Sequence, residues 1–168
     1  MIFFTGDQHF CHEAATKFVH REYPSTKEMN QDIILRWNYS VGKDDTVYVL
    51  GDFFFGTDFK ALRTITQALH GNKILIRGNH DTMSPKAYIQ CGFYKYYDVP
   101  ILLANDLLLS HEPVAGITGD GLLNIHAHTH GKKFAFQSPK HLCVSLECTE
   151  RRPLSYKEVQ RMKFMGGL

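Results

Sequence analysis

The chain has 168 residues, is 43% hydrophobic and carries a formal net charge of +2. That length favours one domain, residues 1–168, with a core that needs no disulfide or metal staple. The near-neutral balance argues against a general electrostatic nucleic-acid binder, which presents a strongly basic face, and leaves a nucleic acid open only as a substrate.

Met1-Ile2-Phe3-Phe4 opens the chain without a basic segment before it and with Asp7 soon after it, so it reads as a strand and not as a signal peptide. No apolar run approaches the roughly 18 residues that span a membrane. Cys11, Cys91, Cys143 and Cys148 form no C-x-x-C pair and read as reduced, buried thiols of a soluble cytoplasmic protein.

Ile2 to Thr5 predicts a strand that runs into Gly6-Asp7-Gln8-His9. Ile33, Ile34, Trp37 and Val41 recur at helical spacing within Lys27 to Val41, with Ser25 or Thr26 as the cap and Gly42 as the stop. Thr46 to Leu50 is a β-branched run ending in Gly51-Asp52. Phe59, Leu62, Ile65 and Leu69 predict an amphipathic helix from Phe59 to His70, closed by Gly71. Lys73 to Arg77 predicts the next strand, which delivers Gly78-Asn79-His80-Asp81; Ser84-Pro85 then opens a helix to about Gln90, stopped by Gly92.

The second half changes character. Tyr94 to Asp98, Pro100 to Ala104 and Leu107 to Ser110 predict short strands, with Asn105-Asp106 as a hairpin turn. Leu122 to Ile125 and Leu142 to Leu146 predict two more, and Ser155 caps a terminal helix to Met162. Alternating β and α units followed by a mainly β half predict an α/β fold with two mixed sheets face to face and helices outside.

The chemistry sits at the strand ends. Ten histidines fall mostly beside Asp, Asn, Gly or another His, a clustering that points to metal ligation. Successive apolar runs end in Asp7-x-His9, Gly51-Asp52, Gly78-Asn79-His80-Asp81, Ser110-His111 and His126-Ala127-His128-Thr129-His130. Gly-Asp alone is commonly a turn, and a lone His after a strand is commonly a hydrogen-bonded residue. Asn79-His80-Asp81 at a strand end has no evident packing purpose, and all five ends in this order are very hard to get by accident. On extended backbone, side chains two apart point the same way, so Asp7 with His9, and His128 with His130, are each expected to reach one pocket.

This series resembles the calcineurin-like metallophosphoesterase superfamily, from residue 5 to residue 130 and in its motif order. Thr5 to Glu13 and Asp44 to Asp52 resemble its small bacterial and phage branch. The resemblance implies a four-layered α/β/β/α sandwich without a cap domain. It implies two divalent metals: Asp7, His9 and His130 on one, Asn79, His111 and His128 on the other, and Asp52 bridging. His80 would stand beside the metals as the acid for the leaving group, with Asp81 orienting it, and a bridging hydroxide would attack phosphorus. The mixed His, Asp and amide donors suit manganese first, with iron, zinc or nickel as alternatives, and do not suit calcium.

Three departures shape the expectation. Ala127 stands where the superfamily usually has glycine, so that turn must accept a methyl group. Phe53-Phe54-Phe55 replaces the Asp-Arg seen in the protein-phosphatase branch, which argues against a phosphoserine or phosphothreonine phosphatase. His126 is surplus and reads as structural, whereas His12, close behind the first motif, reads as substrate-facing. Lys132, Lys133 and Lys140 read either as a solvated loop or as phosphate contacts. The expected activity is hydrolysis of small phosphodiesters or phosphomonoesters, nucleotides or cyclic nucleotides preferred. A nuclease is the alternative within that chemistry, and a catalytically silent, partner-binding scaffold is the alternative outside it. The oligomeric state stays open.

Overall fold

A computed structural model describes residues 1–18, 21–104, 106–118 and 121–164. The first half alternates as expected: β1 (Ile2–Thr5), α1 (Thr26–Ser40), β2 (Thr46–Val49), α2 (Phe59–Ala68), β3 (Asn72–Ile76), α3 (Pro85–Cys91) and β4 (Lys95–Tyr97). Each helix starts where its cap is: the Ser25 hydroxyl, the Asp58 carboxylate and the Ser84 hydroxyl accept from backbone N–H groups of the first turns. Gly92, in the left-handed region at φ 112°, stops α3.

The second half supplies β5 (Ile101–Leu103), β6 (Leu107–Leu109), β7 (Leu123–His126), β8 (His141–Cys143), β9 (Leu154–Ser155) and α4 (Tyr156–Phe164). Asn105 of the expected hairpin turn lies outside the described residues, but β5 and β6 pair antiparallel, Leu103 opposite Leu107. Ser155 caps α4 reciprocally: its hydroxyl accepts from Glu158 N–H and its own N–H donates to Glu158 Oε2.

The result is an α/β fold of two mixed sheets, one ordered β4-β3-β2-β1-β9 and one ordered β5-β6-β7-β8. In β1 the pleat sends Phe3 one way and Phe4 the other, and this alternation defines two cores. Phe3, Val47, Val49 and Leu75 pack against Met29, Ile33, Trp37, Leu62 and Tyr88 of the helices α1 to α3. Phe4, Leu50 and Ile76 face Leu107, Leu109, Leu123 and Ile125 of the second sheet, and α4 adds Val159. Full burial of each such side chain is worth about 1.5–3 kcal/mol.

Register is what positions the site. β1, β2 and β3 are parallel, and Thr5, Val49 and Leu75 lie level at their C-terminal ends. β6, β7 and β8 are also parallel, with Leu109 level with Ile125 and His126 level with Cys143. The loops after all six strands therefore emerge along neighbouring edges, and Gly6 bridges to Ser145 to tie the two sheets together there.

Three expectations need correction. The run Leu142 to Leu146 is not one strand: β8 ends at Cys143, and Leu146–Cys148 coil into a 3-10 turn. β9 was not foreseen, because two residues paired antiparallel to β1 are too short to carry a period. The cysteines are free, but only Cys91 is buried; Cys11 and Cys143 are half-buried and Cys148 is exposed. Among the described residues no helix is long and apolar enough to cross a membrane.

Candidate metal centre

The residues at the strand ends do not continue the extended backbone. Asp7, His9, Asp52, His128 and His130 all have φ between 49° and 64°. Left-handed backbone at a residue other than glycine costs about 1–3 kcal/mol and persists only where the surroundings over-determine it. Here Asp7 N–H donates to Gly51 O, His9 N–H to Asp52 O and Phe10 N–H to Phe53 O, so the first two loops form a ladder. Gly51 and Gly78 let the loops meet: a Cβ on Gly51 would lie 2.4 Å from His111 Nδ1, and one on Gly78 would lie 2.3 Å from Asp52 Oδ1. The methyl group of Ala127 is accommodated in the same way, since a Cβ on Gly6 would come within 2.5 Å of it.

The side chains gather in two groups. Asn79 Oδ1 is 2.9 Å from His111 Nε2 and 3.1 Å from His128 Nδ1, and those two nitrogens are 3.1 Å apart. His111 Nδ1 is 2.8 Å from the Leu50 carbonyl, to which it donates, so the lone pair of Nε2 faces its neighbours. Donor atoms sharing one ion with bonds of roughly 2.0–2.2 Å stand about 3 Å apart, which is the spacing seen. In the other group, donor atoms of Asp7, His9 and His130 lie within 4.8 Å of one another. Asp52 Oδ2 stands between the groups, 3.6 Å from His9 Nε2 and 3.6 Å from His111 Nε2. His128 and His130 thus serve different groups while lining one cavity, and they do so from left-handed backbone and not from the extended one assumed from spacing.

Asp7 Oδ1 and both ring nitrogens of His9 are buried without a hydrogen-bond partner, a costly state for polar atoms. Burial pushes the Asp7 carboxyl up to about 7. Burial, then the charge of Arg21, pushes the His9 imidazole down to about 2. A divalent cation would satisfy these atoms and offset the cost of the buried carboxylates. The mixed nitrogen and oxygen donor set fits ions of the first transition row.

Residues that the strand-end motifs do not reveal hold this arrangement in place. Ser145 Oγ donates to Asp7 Oδ2 at 2.5 Å. The Arg21 guanidinium donates to the carbonyls of Asp7 and Gln8 and, through Nε, to Glu147 Oε1 at 2.6 Å. Glu147 Oε1 also lies 3.0 Å from His130 Nδ1, leaving Nε2 to face Asp7. Burial depresses the His130 pKa, but Glu147 and Asp7 more than offset this, and the imidazole is held above its usual range. The sequence signal was a sixth apolar run, Leu142 to Leu146, that also ends in a polar residue, Glu147. A carboxylate behind a ligating histidine fixes its orientation and basicity. Glu147→Gln is expected to weaken divalent-metal binding about 10–100-fold, read by chelator competition, with an unchanged circular dichroism spectrum.

Asp81 does something other than hold the His80 ring. Its carboxylate accepts from the N–H groups of Asp52, Phe53 and Gly78 and from the Tyr88 hydroxyl, so it clamps two loops together. Burial pushes it up to about 6. A buried carboxylate takes nearby backbone donors, whereas the His80 side chain is 41% exposed and turns toward the rings of His9, His12 and Phe55. His80 Nε2 is 4.0 Å from Asp52 Oδ2, and its backbone N–H donates to Asp52 Oδ1. His12 lies stacked on Phe55, ring centroids 3.9 Å apart. His126 is buried against Phe134 and His141, with Nδ1 2.8 Å from the Ala127 carbonyl. Phe53 and Phe54 are core residues.

Comparison with known proteins is consistent with this geometry. A family model described as calcineurin-like phosphoesterase matches residues 1–154. An uncharacterized protein of Methanocaldococcus jannaschii is 32% identical over 163 residues, 92% of this chain and 86% of that one. The Gene 66 protein of Mycobacterium phage L5 is 30% identical over 159 residues, 76% of each. Among solved structures, a protein of unknown function from Aquifex aeolicus superposes with a TM-score of 0.73 at 27% identity, covering 96% of this chain and 98% of that one. Pseudomonas putida nuclease MPE shares the fold at a TM-score of 0.52 and 18% identity, over 77% of this chain and 61% of that one.

Proposed function

The chain belongs to the calcineurin-like phosphoesterase family, and on that footing we propose that it hydrolyses small phosphodiesters and phosphomonoesters, nucleotides preferred, with two divalent ions. The observation that carries this reading is the position of Asp52 Oδ2, 3.6 Å from a histidine nitrogen of each group. Asp7, His9 and His130 would hold one ion, Asn79, His111 and His128 the other, and Asp52 both, with manganese the preferred metal. Bound there, the ions supply Lewis acidity toward phosphoryl oxygens and a water nucleophile at neutral pH.

The remaining work falls to the chain itself. Asn79 is a neutral donor, so one ligand position adds no negative charge where a phosphate must approach. Asp81 holds the Asp52 and Gly78 loops in register and thereby keeps Asp52 between the groups. His80, at the exposed edge, is placed to give a proton to the departing oxygen. His12 stacks on Phe55 behind His80 and keeps its substrate-facing assignment as part of this reading.

The test is direct. Chelated protein is expected to release no nitrophenol from bis(4-nitrophenyl) phosphate or 4-nitrophenyl phosphate, and reloading with Mn²⁺ is expected to restore release. No turnover with Mn²⁺, Fe²⁺, Zn²⁺ or Ni²⁺, in protein that elemental analysis shows to hold metal, would leave the scaffold reading standing. The fold shared with Pseudomonas putida nuclease MPE favours a second reading, a nuclease. Faster turnover of oligonucleotides than of small esters would select it.

A further inference from the structure

A cavity of about 600 Å³ opens beside His130. Phe18, Gly131 and Cys148 line it, as do the exposed Lys17 and Lys132. We propose that this cavity is a nucleoside subsite: the base lies against Phe18, a second phosphate of the same ligand meets Lys17 and Lys132, and the scissile phosphate lies at the metal centre. The proposal rests on the phosphoesterase reading and adds to it the place where the nucleoside is held and the residues that hold it.

Continuity with the centre comes first. His130 lines the cavity while its Nε2 stands 3.9 Å from Asp7 Oδ2, so whatever fills the cavity is adjacent to a group held between Asp7 and Asp52. Size comes second, since sites for small organic ligands commonly run to roughly 300–1,000 Å³. Shape comes third. Phe18 packs partly on the outer core, and the rest of its ring lies among polar residues, 5.1 Å from the His130 ring and 5.6 Å from the His9 ring. The Arg21 guanidinium carbon lies 5.6 Å from the Phe18 ring centroid, so the stacking platform for a nucleobase is the ring face turned away from Arg21. Gly131, at φ 78°, lets the chain pass close to Cys148, since a Cβ there would lie 3.0 Å from Cys148 Sγ.

Charge decides between a nucleotide and a neutral aromatic. Glu147 is the acid of the lining, but its side chain is 2% exposed and engaged with Arg21 and His130. The charge presented to a ligand is therefore that of two exposed lysines, which suits a second phosphate. His12, stacked on Phe55, does not line this cavity, so the base platform is Phe18.

Calorimetry on the metal-loaded protein tests this with three probes: ribose 5-phosphate, adenosine 5′-monophosphate and adenosine 3′,5′-bisphosphate. The expected result is that the monophosphate binds at least about tenfold tighter than ribose 5-phosphate, and that Phe18→Ala erases most of that gap while leaving ribose 5-phosphate unaffected. Phe18→Leu, which keeps an apolar contact with the core, is expected to lose the same gap. The extra affinity of the bisphosphate should disappear in Lys17→Ala/Lys132→Ala. Equal binding of the monophosphate and ribose 5-phosphate, or a Phe18 effect common to both, overturns the subsite. Nitrophenol release from methyl 4-nitrophenyl phosphate is followed in the same samples. Its absence with every metal would overturn the phosphoesterase reading and leave the binding comparison to judge the cavity separately.

Discussion

Asp52→Asn is expected to lower phosphoester turnover by at least about 10³-fold, since the loss of several kcal/mol of transition-state stabilisation is at stake. It is also expected to leave the protein with fewer than two tightly held ions. The substitution is chosen so that the backbone does not object. Asp52 has φ 51°, and asparagine enters the left-handed region more readily than other residues with a side chain. The carboxylate has two tasks: Oδ1 accepts from His80 N–H at 2.8 Å, and Oδ2 faces His9 and His111 at 3.6 Å each. An amide has one acceptor oxygen. With that oxygen toward His80, an NH₂ group points at the metal positions; with it reversed, the His80 bond is lost. Either way the negative charge is gone. The metal-free variant should melt no lower than the metal-free wild type, because it no longer buries a second carboxylate close to Asp7. Elemental analysis after gel filtration, thermal melting and steady-state rates provide the readouts. Wild-type turnover with two ions retained would remove the bridging role from the mechanism.

Much of this was legible in the chain because strand ends announce themselves. The β-branched and apolar runs at Ile2 to Thr5, Thr46 to Leu50 and Lys73 to Arg77 stop at polar residues, and parallel register then brings those residues side by side. Helix caps were equally plain, because Ser25, Ser84 and Ser155 sit just before helical periods. What the sequence could not convey is contact between distant segments. Arg21 and Glu147 meet across 126 positions and Ser145 reaches Asp7 across 138, contacts that exist only once the second sheet docks on the first. The loss of glycine at Ala127 looked like a defect in a turn, but the space is supplied by Gly6, from a different strand. Asp81 illustrates the opposite error. The family resemblance implied that it orients His80, while burial turned it toward the backbone donors of two loops. Left-handed backbone at Asp7, His9, Asp52, His128 and His130 was equally hidden, since none is a residue whose type demands it.

His80→Ala separates the ring of that residue from everything else it does. The backbone N–H that holds Asp52 Oδ1 survives the substitution, so Asp52 stays between the two groups and the metal content should remain that of the wild type. Only the imidazole is lost, and its Nε2 stands 4.0 Å from Asp52 Oδ2 in a side chain that is 41% exposed. A positioned acid contributes about 10²–10⁴-fold, and the loss should depend on what is leaving. An alkyl phosphodiester expels a basic alkoxide that needs a proton in the transition state, so its turnover should fall by the full factor. A nitrophenyl ester expels an anion that is stable unprotonated, so its turnover should fall far less. The quantity to measure is therefore the ratio of the two kcat losses in metal-matched samples. A ratio near one, with both rates strongly reduced, would mean that the imidazole acts on the phosphoryl group and not on the leaving oxygen. Unchanged rates for both esters would mean that it has no part in the chemistry. A large ratio assigns the proton to His80, and the same comparison in Asp81→Asn, whose carboxylate touches loops and not the ring, should then show the two rates falling together.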